Sequence, residues 1–586
     1  MYEIKDRTPN FDMNPYVEVD GVSYAGYQAI VAELQRFLGK RSGKTVVTFD
    51  YYHGVDEKKL YDELIFKLGA DLLVDTNDVK LPESVISKKF HRFITDDRVN
   101  GVVSTCHIDE FFDQDKVAAV NKMIGGADGL IVVYGVAAAA VCPGDVLVYC
   151  DLEIEEVKRR YRAGMDNWGA GNHKEEFLRK EKRYSFLEGR VQEWHKRPQL
   201  ARLDFFLDCN ESDRPVMVCK HTFNHMMDTF VSQPFKCVPF FTPGVWGGHW
   251  CKDVLGADKK LLNTAWGMTG IIDFQAVQAK VGGNIVRLPG KDIELTRPLE
   301  FLGGQVFSIF GYRCPVTLDL LDTWGGQNLS LQCHPTVAYN QEVFNAQFGH
   351  YESYYMLDTT DHSSVYLGVK NGTKLDELVK AFEEGQRTGE FDDTKWINNL
   401  PMKRHDHIFI PSGTIHASGE GTVVLEINTV WLTTFKLWDW GRVDLDGKPR
   451  PIDIGHGSQN IQVRYDTDFT KDRLVSKKGE TARGDGWRKE HSGTMEYEPL
   501  HVERYWFTKP VHFETIDTVK VMCLVEGEEA IIESPDGSFT PCVIHYAEAC
   551  FIPAHVGQFY VRPYGKSEGK ELAILECYQD LGSRYF

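Results

Sequence analysis

The stretch LSLQCHPTVAYNQEVFNAQFGHYESYYMLD, residues 329–358, is followed by HDHIFIPSGTIHASGEGTVVLEINTVW, residues 405–431, and the two hold the clearest pattern in this chain. Side chains alternate faces along an extended strand, so Gln332 and His334 project to one side. Glu352 stands on a second strand-like run, ESYYML, where an unpaired carboxylate among apolar neighbours would be costly. His416 follows a Pro-Ser-Gly turn that can aim a side chain into a barrel mouth. Two imidazoles, a carboxylate and an amide oxygen suit a borderline divalent metal such as zinc. The expectation is a metal site inside a β-barrel, with chemistry at a polarised oxygen.

On both sides of these stretches the texture is β, from about residue 218 onward, with Gly/Pro turns, many aromatics and few long helices. The clearest helix is LDELVKAFEEGQRT, residues 375–388. A polar run, 466–500, reads as a linker or long surface loop. The segment 501–586 alternates again (YWFTKPVHF, VKVMCLVEGEEAIIES, ELAILECY) and predicts one more small antiparallel barrel. Residues 216–465 would then form the metal-binding domain.

The first 215 residues differ. KTVVTFDYY, GVVSTCHI, GLIVVYG and DVLVYCDL are short apolar runs of the buried parallel-strand kind, and VDEKKLYDELIFKLGADLL has helical spacing. Strands alternating with helices predict a doubly wound α/β domain. GKRSGKT (39–45) is no phosphate loop: Leu38 stands where its first glycine belongs, and it precedes a strand instead of following one. The basic run Lys158-Arg159-Arg160, with Arg162, reads as a solvated helix face, with an anion site as the alternative.

At 586 residues the chain exceeds one core, and its length suggests roughly three to four domains. A net charge of −19 excludes a broad nucleic-acid or acidic-membrane surface, though not an anionic small substrate. Thirteen scattered cysteines without a CxxC pair fit reduced core thiols. The polar start MYEIKDRTPNFDMNPY lacks the features of a secretory signal, and the longest apolar run, 129–141, is too short to span a bilayer. The expected location is the cytoplasm.

Four separate motifs, in order, resemble class I mannose-6-phosphate isomerases, a cupin family. They are Ser330-Leu331-Gln332-Cys333-His334-Pro335, Gly349-His350-Tyr351-Glu352, the turn Pro411–Ala417, and TTFKLWDWGRVDLDGKPR at 433–450. PFFTPGVWGGHW (239–250) is similar to the family's opening strand and sets Trp246 near the pocket. The resemblance covers about 218–583 and implies tandem jelly-roll cupin barrels, the second without metal. It implies Gln332, His334, Glu352 and His416 as ligands of one Zn2+ per chain, with other divalent metals compatible. It implies Ser330, Trp246 and Lys436 at the substrate, and Glu426, His350 and Lys436 in catalysis.

Several positions depart from the family pattern. His350 replaces a lysine, Lys436 an arginine, Leu432 an acid and Thr336 an aspartate. A lysine keeps the charge at 436 but loses the planar fork that grips phosphate. The implied reaction interconverts a phosphorylated aldose and ketose, mannose 6-phosphate and fructose 6-phosphate first among them. A second reading is a metal-retaining cupin without isomerase activity that binds phosphosugars in regulation. More weakly, the first domain resembles uridine-kinase-like nucleoside kinases with an eroded nucleotide site. That implies a structural or regulatory part, with a bifunctional kinase–isomerase as a third reading.

Overall fold

KTVVTFDYY becomes the buried strand Thr45–Tyr51 in the interior of a seven-stranded sheet in the computed structural model, which describes residues 8–429, 433–477, 479–493 and 500–579. Across the sheet run Ser23–Ala25, Val216–Cys219, Phe205–Asp208, Val146–Asp151, Thr45–Tyr51, Leu130–Val136 and Leu72–Asp75. The last five are mutually parallel, and Val216–Cys219 pairs antiparallel both with Phe205–Asp208 among them and with Ser23–Ala25. Chain order reverses at Thr45–Tyr51, the mark of a doubly wound sheet. Gly39–Lys44 leads into that strand from the N-terminal side, so it has no strand–loop–helix context.

Three sequence expectations need correction. GVVSTCHI (101–108) forms no strand. Val102 N donates to Phe93 O, Val103 N to Phe344 O and Ser104 N to Phe186 O, three unrelated partners instead of one ladder. A short apolar run buried on all sides looks alike in both cases. The boundary at 215/216 falls inside the α/β sheet, because Val216–Cys219 pairs on both edges there, and the helix Lys220–Ser232 follows it. The 466–500 run holds a helical turn (Thr467–Leu474) and a hairpin, Gly479–Gly484 with Trp487–His491, added to the edge of the last sheet. Its outermost strand is exposed throughout and carries the Glu480–Arg483 ion pair, so no apolar face marked it as β.

The middle of the chain folds as two antiparallel sheets sharing one core. One orders His407–Ile410, Glu352–Thr359, Thr422–Asn428, Thr317–Asp322, Trp266–Gly270 and Phe240–Thr242. The other orders Ile397–Pro401, Ser364–Val369, His416–Ser418, Leu331–Cys333 and Phe435–Trp438. Leu331, Cys333, Tyr354, Met356, Leu367, Val424 and Leu437 meet between them. The last part repeats this with six- and four-stranded sheets around Met522, Leu524, Ile532, Val561 and Ile574.

Separate cores were expected from length, yet the largest apolar cluster runs through every part. It joins Leu147 and Phe206 of the α/β sheet, Val277 and Val286, Leu318 and Leu425 behind the middle sheet, and Val521 and Leu575. Even Val17–Val19 crosses over, pairing in parallel with Ala276–Val281. All thirteen cysteines are free thiols and eleven are buried. Among the described residues no helix is long and apolar enough to cross a membrane.

Candidate metal centre

Strand pleating places the donors. Leu331 and Cys333 pack in the core, which turns Gln332 and His334 to the opposite side, into a cavity of about 340 Å³. Gln332 is in register with His416 on one neighbouring strand and with Lys436 on the other. Glu352 pairs with Ile410 and Asn428. The Pro411–Thr414 turn closes by Thr414 N donating to Pro411 O, and Gly413 N donates to His334 O. Gly413 has φ +82°, and a Cβ there would meet Asn460 O at 2.3 Å, so the turn requires glycine. It delivers the fully buried His416 to Glu352, behind the cavity lining.

His334 Nε2 lies 2.7 Å and His416 Nε2 2.9 Å from the same oxygen, Glu352 Oε2. Each ring's other nitrogen is 2.9–3.0 Å from a backbone carbonyl: His334 Nδ1 from Thr433 O, His416 Nδ1 from Thr414 O. A carbonyl can only accept, so the Nδ1 atoms carry the protons and both Nε2 lone pairs face a carboxylate. Three acceptors converging in a buried place fit a divalent cation. The Gln332 amide lies 3.3 Å from His416 Nε2, and a half-turn of it presents an oxygen as the fourth donor. Burial alone would raise the Glu352 carboxyl, but His416 and then His334 beside it hold it well below the usual carboxylate range.

Beside these donors, His350, Glu352 and Glu426 also bring their ligand atoms within 4.8 Å of one another. The His350 and His334 rings are 4.0 Å apart. Glu426 faces the cavity with Asn428, while Val424 on the same face packs deeper in the core. Asp319 completes the group and was not singled out from sequence, although an acid inside the apolar run VTLDLLD was a signal. It is in register with Glu426, and the Asn428 amide donates to both carboxylates. Burial, Asp319 and Glu352 push the Glu426 carboxyl well above its ordinary range; burial and Glu352 do the same to Asp319.

The remaining expected residues line the same cavity in different states. Trp246 is buried and packs edge-on against Trp266, ring centres 4.7 Å apart. Ser330 donates its hydroxyl to Asp439 Oδ1 at 2.9 Å, and Arg450 holds Asp439 and Asp444. Lys436 reaches the cavity, and burial and then Arg450 lower the pKa of its ammonium. Thr336 caps the helix Val337–Phe344 by accepting from Tyr339 N. Leu432 lies outside the described residues. Leu178, from the α/β part, also lines the cavity, which sequence reading did not foresee. Lys158 and Arg160 are not simply solvated: Lys158 binds Glu155 and Glu181, and Arg160 binds Glu156 and Gly54 O.

Residues 26–232 match a domain of unknown function (DUF8485), which attaches no kinase character to the α/β part. The mannose-6-phosphate isomerase ManA of Bacillus subtilis (strain 168) is 32% identical over 153 residues, 26% of this chain and 46% of that protein. The protein named "Probable mannose-6-phosphate isomerase GmuF", of the same organism, is 28% identical over 244 residues, 40% of this chain and 70% of its own. The chain thus spans about half of ManA's length. The crystal structure of the mannose 6-phosphate isomerase from Bacillus subtilis aligns with a TM-score of 0.47 at 19% identity, covering 58% of this chain and 99% of that one. Part of this chain is homologous to mannose-6-phosphate isomerases, at 25–32% identity.

Proposed function

We propose that the protein is a metal-dependent isomerase that interconverts a phosphorylated aldose and ketose, with mannose 6-phosphate and fructose 6-phosphate the first pair to test. The supporting observation is the meeting of His334 and His416 Nε2 on one oxygen of Glu352, beside a second carboxyl, Glu426, that shares a ligand cluster with Glu352 and His350. The relatives' names point the same way.

Gln332, His334, Glu352 and His416 would hold the metal. When bound, a zinc or similar ion supplies Lewis acidity toward the sugar's carbonyl and neighbouring hydroxyl. The chain's own residues do the rest. Glu426 and His350 would carry the proton between C1 and C2, a role worth about 10²–10⁴-fold in rate. Lys436 offers an ammonium to the phosphate. Trp246 and Trp266 form an apolar wall that limits water at the reacting carbons.

The test is a coupled assay of zinc-loaded protein on mannose 6-phosphate, with other hexose and pentose phosphates in parallel. Turnover on one of them is expected. His350, where the resembling family has lysine, favours a second function, phosphosugar binding without isomerisation. Tight binding with no turnover on any substrate would select it.

A further inference from the structure

The metal cavity opens into a second, larger room of about 620 Å³ that the α/β part roofs. Leu178, Trp266, Met268, Ile271, Thr434 and Lys436 line both spaces. That volume lies within the roughly 300–1,000 Å³ of small-molecule sites. Eight cationic and only four anionic side chains line the room, and most of the cations are already committed. Lys158 is held by Glu181, Lys196 by Asp151 and Asp292, and Lys291 by Asp273 and Glu294.

Three lining cations differ. Among the described residues, Arg162, Lys182 and Lys436 have no carboxylate within 4.0 Å. Arg162 is exposed and lies over the Phe177 ring at 4.1 Å, its guanidinium edge open. Lys182 is 3% exposed, and its ammonium donates to Thr95 O and Asp97 O, which leaves the third of its protons. Asn100, in the same lining, is 5% exposed, and its buried Nδ2 has no hydrogen-bond partner. An orphaned donor and an ammonium paired only with carbonyls are costly in a folded interior unless something else satisfies them.

We infer that Asn100, Lys182 and Arg162 form an anion subsite on the α/β part that takes a phosphate monoester. The guanidinium fork and the several remaining N–H groups match the oxygens of a phosphate better than the two of a carboxylate. The α/β part is then a substrate-recognition element for the metal cavity below it, with Lys436 at the seam. The phosphosugar isomerase proposed above identifies the ligand; the existence of the subsite stands on its own geometry.

The test is calorimetric titration of inorganic phosphate into the metal-loaded full chain, wild type and Asn100→Ala, Lys182→Met and Arg162→Glu. Wild type should bind, and each substitution should weaken binding by about tenfold or more at unchanged zinc content. Arg162 is exposed, so its variant keeps the fold if buried Lys182→Met does not. Displacement of phosphate by mannose 6-phosphate would identify the ligand as the substrate's own phosphate. Simultaneous binding of both would identify a separate phosphorylated ligand at the same subsite. Wild type that ignores millimolar phosphate, or folded variants that bind it unchanged, would overturn the subsite. Absence of turnover on hexose phosphates would instead count against the isomerase alone, because the phosphate titration needs no catalysis.

Discussion

Gln332 and His416 stand in register on adjacent strands, with their side-chain nitrogens 3.3 Å apart, although 84 residues separate them in sequence. The pairing brings an amide and an imidazole from distant stretches to the oxygen of Glu352. His416→Ala should therefore lower zinc from about one ion per chain to a small fraction of that, since one of four donors is lost. Elemental analysis of the purified variant gives the number, and circular dichroism checks the fold. Zinc at the wild-type level would remove His416 from the ligand set.

Chelation should lower thermal stability, and added zinc should restore it. A ligand bound to the folded state alone at a thousandfold excess over its Kd contributes about 4 kcal/mol. Without a cation, His334, Glu352 and His416 face one another as acceptors or must take up protons. Scanning calorimetry with and without chelator measures the difference; superimposable melts would argue against a structural hold on metal.

Glu426→Gln should cut kcat by about 10²–10⁴-fold while zinc content stays unchanged. The amide keeps the shape and the contact with Asn428 but cannot relay a proton. A variant with full turnover would leave His350 as the acid–base group.

Lys436→Arg should preserve phosphosugar binding or tighten it, because the fork geometry returns. Lys436→Met should weaken it by about tenfold, the effect of one charged hydrogen bond. KM and inhibition by inorganic phosphate report both. Loss of affinity in the arginine variant would mean that the residue does not face the phosphate.

Glu548 should govern part of the acid limb of stability. Burial raises its carboxyl, but Lys236, 2.8 Å away, and His545 bring it down to about 2. The folded value lies below the unfolded one, so the contribution is complete above about pH 5 and disappears as pH falls toward 2. Its size is about 3 kcal/mol. Glu548→Gln should cost that much in urea melts at pH 7 and much less near pH 3. An equal loss at both would refute the ionic origin.

Much of the site was legible because strand periodicity is a local property. Gln332 and His334 share a side once Leu331 and Cys333 claim the core, and Glu426 and Asn428 share one by the same rule. Asp319 was harder to see, since its partner Asn428 lies 109 residues away and nothing in VTLDLLD says which face meets a cavity. The hairpin at 479–491 was hidden because an edge exposed on both faces needs no apolar alternation.

The chain's own order of residues determined the β character after residue 218, the alternating strands and helices before it, and the donor types available to a metal. Tertiary structure alone decided that Val17–Val19 pairs with Ala276–Val281, that 101–108 binds three separate elements, and that Leu178 and Lys182 reach a chamber above the metal cavity. Backbone pairing and burial between parts depend on which surfaces meet. That choice is made by the summed apolar area of the whole molecule, which no window of sequence contains.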